Sequence, residues 1–151
     1  IINFCYNLSE PALPLISNIR LNCFKIYMRD TGLLVAMLEE GTQKAILDDE
    51  LYINQGALLE NVCAEEIATR HSKLMYFERK STLEIDFVLN IDGKVTAIEV
   101  KSGKNKQAKS LKSIIQNYKT VSRYMKFEND CNVYKDEENI EHYPLFMCMF
   151  I

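Results

Sequence analysis

Apolar and polar residues alternate with a period of two in two short runs, Glu84-Ile85-Asp86-Phe87-Val88-Leu89 and Ala97-Ile98-Glu99-Val100-Lys101-Ser102. Such alternation predicts half-buried β-strands. Between them lies Asn90-Ile91-Asp92-Gly93, and Asp-Gly predicts a two-residue hairpin because glycine tolerates a positive φ. With Asp92 and Gly93 as the loop, counting sets Ile91 opposite Lys94 and Val88 opposite Ala97. It also sets Asp86 opposite Glu99 and Glu84 opposite Lys101. Opposed side chains have Cβ atoms roughly 5 Å apart, and like charges there are destabilising. Asp86 against Glu99 therefore calls for a cation, and a divalent metal is the obvious candidate, with Lys101 one same-face step along. The plainer alternative is an exposed polar hairpin face with Glu84–Lys101 as an ordinary cross-strand ion pair.

The same pattern extends outward from the hairpin. Residues 1–6 and 24–28 read as strands, separated by a turn holding Pro11 and Pro14. Asp30 is placed to N-cap a short helix through Leu33, Leu34 and Leu38, ended by Gly41. A polar loop with Asp48, Asp49 and Glu50 leads to the longest helix, over residues 55–71. There Leu58, Leu59, Val62, Cys63 and Ile67 form a core-facing stripe. Glu60 lies at its edge and Glu66 nearer its middle, where a carboxylate is costly unless paired or metal-bound. A boundary glutamate satisfied by Arg70, Arg79 or a backbone donor is the plainer alternative. Residues 74–79 read as a strand and 107–118 as an amphipathic helix. Strands follow at 121–127, 132–134 and 140–143, then a short apolar helix from Pro144 to the end. The order predicts a small mixed sheet with helices on its faces, an α/β class.

At 151 residues, 48% hydrophobic and 26% charged, the chain is long enough for a real core. No apolar run reaches 18 residues, and the expectation is no membrane span. No signal peptide is evident, and the first residue is not Met, as expected for a piece of a longer protein. Residues 1–22 read as a linker or tail of a preceding region, and 23–151 as the domain. Five cysteines make no CxxC pair and only two histidines accompany them, which argues against zinc and for a reduced, cytoplasmic setting. No GxxxxGK loop is present. The net charge of −3 conceals segregation. Residues 100–127 hold eight basic side chains and no acid, whereas 128–141 hold six acids against Lys135 alone. A basic stretch starting at the metal-site candidate suits a phosphate backbone, and a solvated helix face is the alternative.

Glu60 on a helix, Asp86 on a strand and Glu99-x-Lys101 on its partner are the residue types that metal-dependent phosphodiester cleavage uses. Carboxylate oxygens hold Mg²⁺ while leaving room for water and phosphate. A lysine two residues after the glutamate shares its face and can stabilise developing negative charge. At these residues the chain resembles the PD-(D/E)xK nuclease superfamily, with Ile85 standing where the name calls for Pro. That resemblance implies a restriction-endonuclease-like fold, Asp86, Glu99 and Glu60 (second choice Glu66) as ligands of Mg²⁺ or Mn²⁺, and Lys101 as catalytic base or oxyanion stabiliser. Four further runs extend the likeness over about residues 23–113: Lys25-Ile26-Tyr27-Met28-Arg29-Asp30-Thr31-Gly32-Leu33-Leu34, Gly56-Ala57-Leu58-Leu59-Glu60-Asn61, Glu84-Ile85-Asp86-Phe87-Val88 and Ile98-Glu99-Val100-Lys101-Ser102-Gly103. Together they resemble the uncharacterised C-terminal domain of prokaryotic AAA-type ATP-binding proteins. This implies an N-terminal ATPase module as partner, with ATP entering only through it. The expectation is a nuclease domain cleaving nucleic acid, DNA foremost, with Lys104, Lys106, Lys109 and Lys112 on the backbone. The alternative is a catalytically inactive module of the same fold that binds nucleic acid or a regulatory protein.

Overall fold

The computed structural model describes residues 1–48, 55–79, 82–102 and 108–151. Two mixed sheets flanked by helices make up an α/β domain. In the first sheet β1 (Ile2–Leu8) pairs antiparallel with β2 (Ile19–Met28) and parallel with β3 (Leu74–Arg79), which pairs antiparallel with β4 (Leu83–Ile85). The order is β2-β1-β3-β4. Residues 2–8, expected as the tail of a preceding region, thus form an interior strand, with Cys5 and Leu8 fully buried. The second sheet runs β5-β6-β7-β9-β8. Its strands are β5 (Phe87–Ile91), β6 (Lys94–Lys101), β7 (Arg123–Glu128), β8 (Tyr134–Lys135) and β9 (Ile140–Pro144). β6, β7 and β9 are parallel neighbours.

The Asp92-Gly93 hairpin forms as expected: both residues have positive φ, 52° and 76°, the pair of a type I′ turn. Ile91 opposes Lys94 and Val88 opposes Ala97. Helix α1 (Thr31–Ala36) is capped by Asp30, whose carboxylate accepts the Leu33 N–H at 2.8 Å. A second short helix, α2 (Thr42–Leu47), follows Gly41, which was expected only to end the first. Helix α3 (Gln55–Arg70) and helix α4 (Lys109–Asn117) complete the set, with 3-10 turns at Leu15–Asn18 and Leu145–Phe150. No helix among the described residues is long and apolar enough to cross a membrane.

The core divides into two layers. Cys63, Ala64 and Ile67 of α3 pack on Phe87, Ile98 and Phe127 on one face of the second sheet. Leu111 and Ile114 of α4 pack on Val88, Ala97 and Ile140 on the other. The buried side of α3 is rotated from the expected stripe, because Asn61 is drawn inside and Leu58 and Val62 are left half-buried. Strand β2 departs further from the usual rule. Its polar Lys25 and Tyr27 turn inward, while Phe24 and Ile26 stand exposed beside Phe4. That inversion brings a lysine and a tyrosine to the site.

Candidate active site

The chain changes partners at Asp86. Residues on its N-terminal side pair with β3 and those on its C-terminal side with β6. The expected ladder therefore stops at Phe87–Ile98, one step short of Asp86 and Glu99. In its place the Asp86 Oδ2 accepts the backbone N–H of Val100 at 2.7 Å, so side chain substitutes for backbone at the corner. The expected Glu84–Lys101 pair does not form. Glu84 stands opposite Glu78 and pairs with Lys25 at 2.5 Å. Lys101 pairs within its own strand, with Glu99 at 2.9 Å.

Glu60, on the second turn of α3, is held from β2. Its Oε1 accepts both the Lys25 ammonium at 3.0 Å and the Tyr27 hydroxyl. Next to it, Asn61 accepts the Met28 N–H at 2.8 Å and donates to the Met28 carbonyl at 3.1 Å and the Thr31 hydroxyl at 2.8 Å. One turn on, Glu65 takes both the N–H and the hydroxyl of Thr31. Two of the sequence motifs, residues 25–34 and 56–61, are thus clasped to one another side chain by side chain. Lys25 completes the group: it lies between Glu60 and Glu84 and over the Tyr76 ring, 5.1 Å from its centroid.

The electrostatics gather most of the expected residues into one neighbourhood. Burial, and then the charge of Glu60, push the Asp86 carboxyl up to about 7, against the Val100 N–H, Lys25 and Lys101, which pull it down. Burial draws Lys101 down, but Glu99 first, then Asp86 and Glu60, hold it above its ordinary value. Burial likewise draws Lys25 down, and Glu84 and Glu60 more than reverse it. Lys101 is therefore the residue that senses all three acids.

Glu99 is 2% exposed, and its Oε2 is buried without a hydrogen bond. Beside it on β7 stands Lys126, and beside Lys101 stands Glu128. The four make a checkerboard of alternating charge across two parallel strands. Lys126, fully buried, pairs with Glu128 at 2.6 Å, and Glu128 also accepts from His142 at 2.7 Å. Sequence reasoning had not found this network, nor Lys25 and Tyr27. The signals available for the latter were the alternation over residues 24–28, which puts Lys25 and Tyr27 on one face, and their place in the first of the four motif runs.

The donors match a hard divalent cation in kind, since all are carboxylates and one oxygen is buried without a bond. Among the described residues, no three His, Cys, Asp or Glu side chains are grouped to hold a metal ion as they stand. Glu66, the second choice, lies half-buried on α3 and is not among the acids that shift Asp86 or Lys101. Lys104 and Lys106 lie outside the described residues. Lys109 is exposed, whereas Lys112 pairs with Glu138 at 2.8 Å. Arg123 pairs with Glu141 at 2.8 Å. Members of the basic and acidic runs, separate in sequence, thus meet in space: Arg123 and Glu141 because β7 and β9 are neighbours, Lys112 and Glu138 because α4 lies near the turn before β9.

An α/β domain with two mixed sheets and a carboxylate–lysine cluster at the corner between them is the class this structure defines. The chain belongs to the family described as a domain of unknown function (DUF4143), whose model matches residues 55–147. No curated protein and no solved structure matches it.

Proposed function

We propose that this chain is a metal-dependent nuclease domain of the PD-(D/E)xK type, with a restriction-endonuclease-like fold, cleaving phosphodiesters of nucleic acid beside an ATPase module of the same parent chain. The observation that carries this reading is the tie of Asp86 to Val100, which fixes one acid against the strand bearing Glu99 and Lys101. Asp86, Glu99 and Glu60 are the residues that would hold Mg²⁺ or Mn²⁺. When bound, such an ion supplies charge neutralisation and a more acidic water. Lys101, steered by Glu99, brings positive charge to the phosphate oxygen on which charge develops. Lys109, with Lys104, Lys106 and Lys112, would face the nucleic-acid backbone.

A cleavage assay tests this reading. The chain is incubated with Mg²⁺ or Mn²⁺ and linear, single-stranded or branched DNA, with Asp86→Ala and Lys101→Ala run alongside. Metal-dependent cuts that both substitutions abolish are expected. Cuts that persist in Lys101→Ala would remove the lysine from its role.

A second reading is a catalytically silent module of the same fold. It is favoured by Glu60, whose Oε1 is taken by Lys25 and Tyr27, and by the pairing of Lys112 and Arg123 of the basic run with Glu138 and Glu141. On this reading DNA binding needs no metal and falls steeply with salt.

A further inference from the structure

Lys25 is the charged residue of the site that no role yet explains. Its ammonium is enclosed by two carboxylates from different elements, Glu60 of α3 and Glu84 of β4, and by the π face of Tyr76 of β3. A cation caged by two acids and an aromatic ring is held by Coulomb and quadrupole attraction together. The cage is not sealed: a cleft lined by Lys25, Tyr27, Met28, Ala57, Glu60 and Asn61 opens onto it. Lys25 therefore fills the electrostatic place of a cation beside Glu60.

We propose that Lys25 is a built-in competitor for the metal site: its ammonium holds Glu60 in the metal-free protein and must release it before Glu60 turns to a divalent ion. This rests on the reading of Asp86, Glu99 and Glu60 as a metal site and adds the residue that regulates its filling. Lys25 is a positioning residue, acting through Glu60. No bond is made or broken in the exchange; one cation replaces another at the same carboxylate. The repulsion between an ammonium and a divalent ion a few ångströms apart is large enough to show in affinity.

The test is Mn²⁺ binding to the 151-residue chain by titration calorimetry, without DNA. Lys25→Met removes the charge while keeping the chain length, and is expected to bind Mn²⁺ about tenfold tighter or more. Lys25→Arg keeps the charge and stays within about threefold of wild type, as does Lys94→Met, which removes a charge at the remote hairpin turn. Equal or weaker binding by Lys25→Met overturns the proposal while leaving the metal site standing. Failure of every protein, wild type included, to bind Mn²⁺ overturns the metal reading and the proposal with it. A measurement on the unaltered protein covers the case in which Lys25→Met does not fold. The Lys25 ammonium signal in ¹H–¹⁵N spectra, assigned by its loss in Lys25→Arg, should move as Mg²⁺ saturates the site. A Lys25 signal that stays put at saturation overturns the proposal.

Discussion

The Asp86 carboxylate accepts the backbone N–H of Val100 at 2.7 Å, and this one bond spans the break between the two sheets. It does what the next rung of the hairpin would have done, and it leaves Asp86 buried, with burial and then the charge of Glu60 raising its carboxyl. Asparagine keeps the acceptor and removes the repulsion. Asp86→Asn in metal-free buffer at pH 8 should therefore be as stable as wild type or more so, while losing divalent binding. Urea denaturation checks this, and a loss above about 1 kcal/mol would show that the charge itself is structurally needed.

Asn61 gives a second prediction. Its amide satisfies both the N–H and the carbonyl of Met28 while only 3% exposed. Asn61→Ala leaves the N–H and carbonyl of half-buried Met28 without their side-chain partner and should cost about 1–2 kcal/mol. Glu60 would lose its register on β2 at the same time, so metal affinity should fall although no ligand is altered.

Tyr27→Phe removes one of the two donors on Glu60 and keeps the ring against Phe87, 5.7 Å away. A hydrogen bond to a charged acceptor contributes about 1.5–3 kcal/mol. A measured loss in that range is expected in urea, with the second donor, Lys25, still in place. A loss near zero would mean that Lys25 alone positions Glu60.

Glu128 sets the acid limit. Burial raises its carboxyl, but Lys126 and His142 outweigh that and hold it below its ordinary 4.5. A carboxyl depressed in the folded state contributes stability that is complete above about pH 4.5 and is lost as pH falls through the folded value. Asp136 and Glu141 are shifted in the same direction, by the Ile140 N–H with His142 and by Arg123 respectively, against the cost of burial. Stability should thus fall below pH 4.5, and Glu128→Gln should flatten the fall. At pH 7 the variant should lose about 3 kcal/mol, because a carboxylate 2.6 Å from a fully buried ammonium is gone. Thermal melts from pH 3 to 8 would show a parallel curve if Glu128 were irrelevant.

The elements were legible wherever period and turn chemistry agreed. The Asp92-Gly93 loop, the Asp30 cap and the long helix fall where alternation, capping and the 3.6-residue stripe put them. Asp86, Glu99 and Glu60 stand out in the sequence as carboxylates on or beside apolar faces. Their partners do not. Counting from the turn assumes one uninterrupted ladder, and nothing in Glu84-Ile85-Asp86 announces that the chain leaves one sheet for another. Lys25 was hidden for a related reason. A strand that buries its polar face and exposes Phe24 and Ile26 reads, by period alone, the wrong way out. The segregated charges misled in the same way, because the fold sets Glu141 of β9 beside Arg123 of β7 and Glu138 beside Lys112 of α4.

The tie between Lys25 and Glu60 has a kinetic consequence. Lys25 meets Glu60 across 35 residues, whereas Asp86 meets Val100 across 14, beside a local hairpin. The Glu60 side of the site is thus the part that waits on a long loop. Closing such long loops precedes any reward from the contacts they bring. The site is therefore among the last parts of the chain to assemble and the first to be lost on partial unfolding. Mn²⁺ binding during refolding would rise with the slowest phase, making the site a reporter of complete folding.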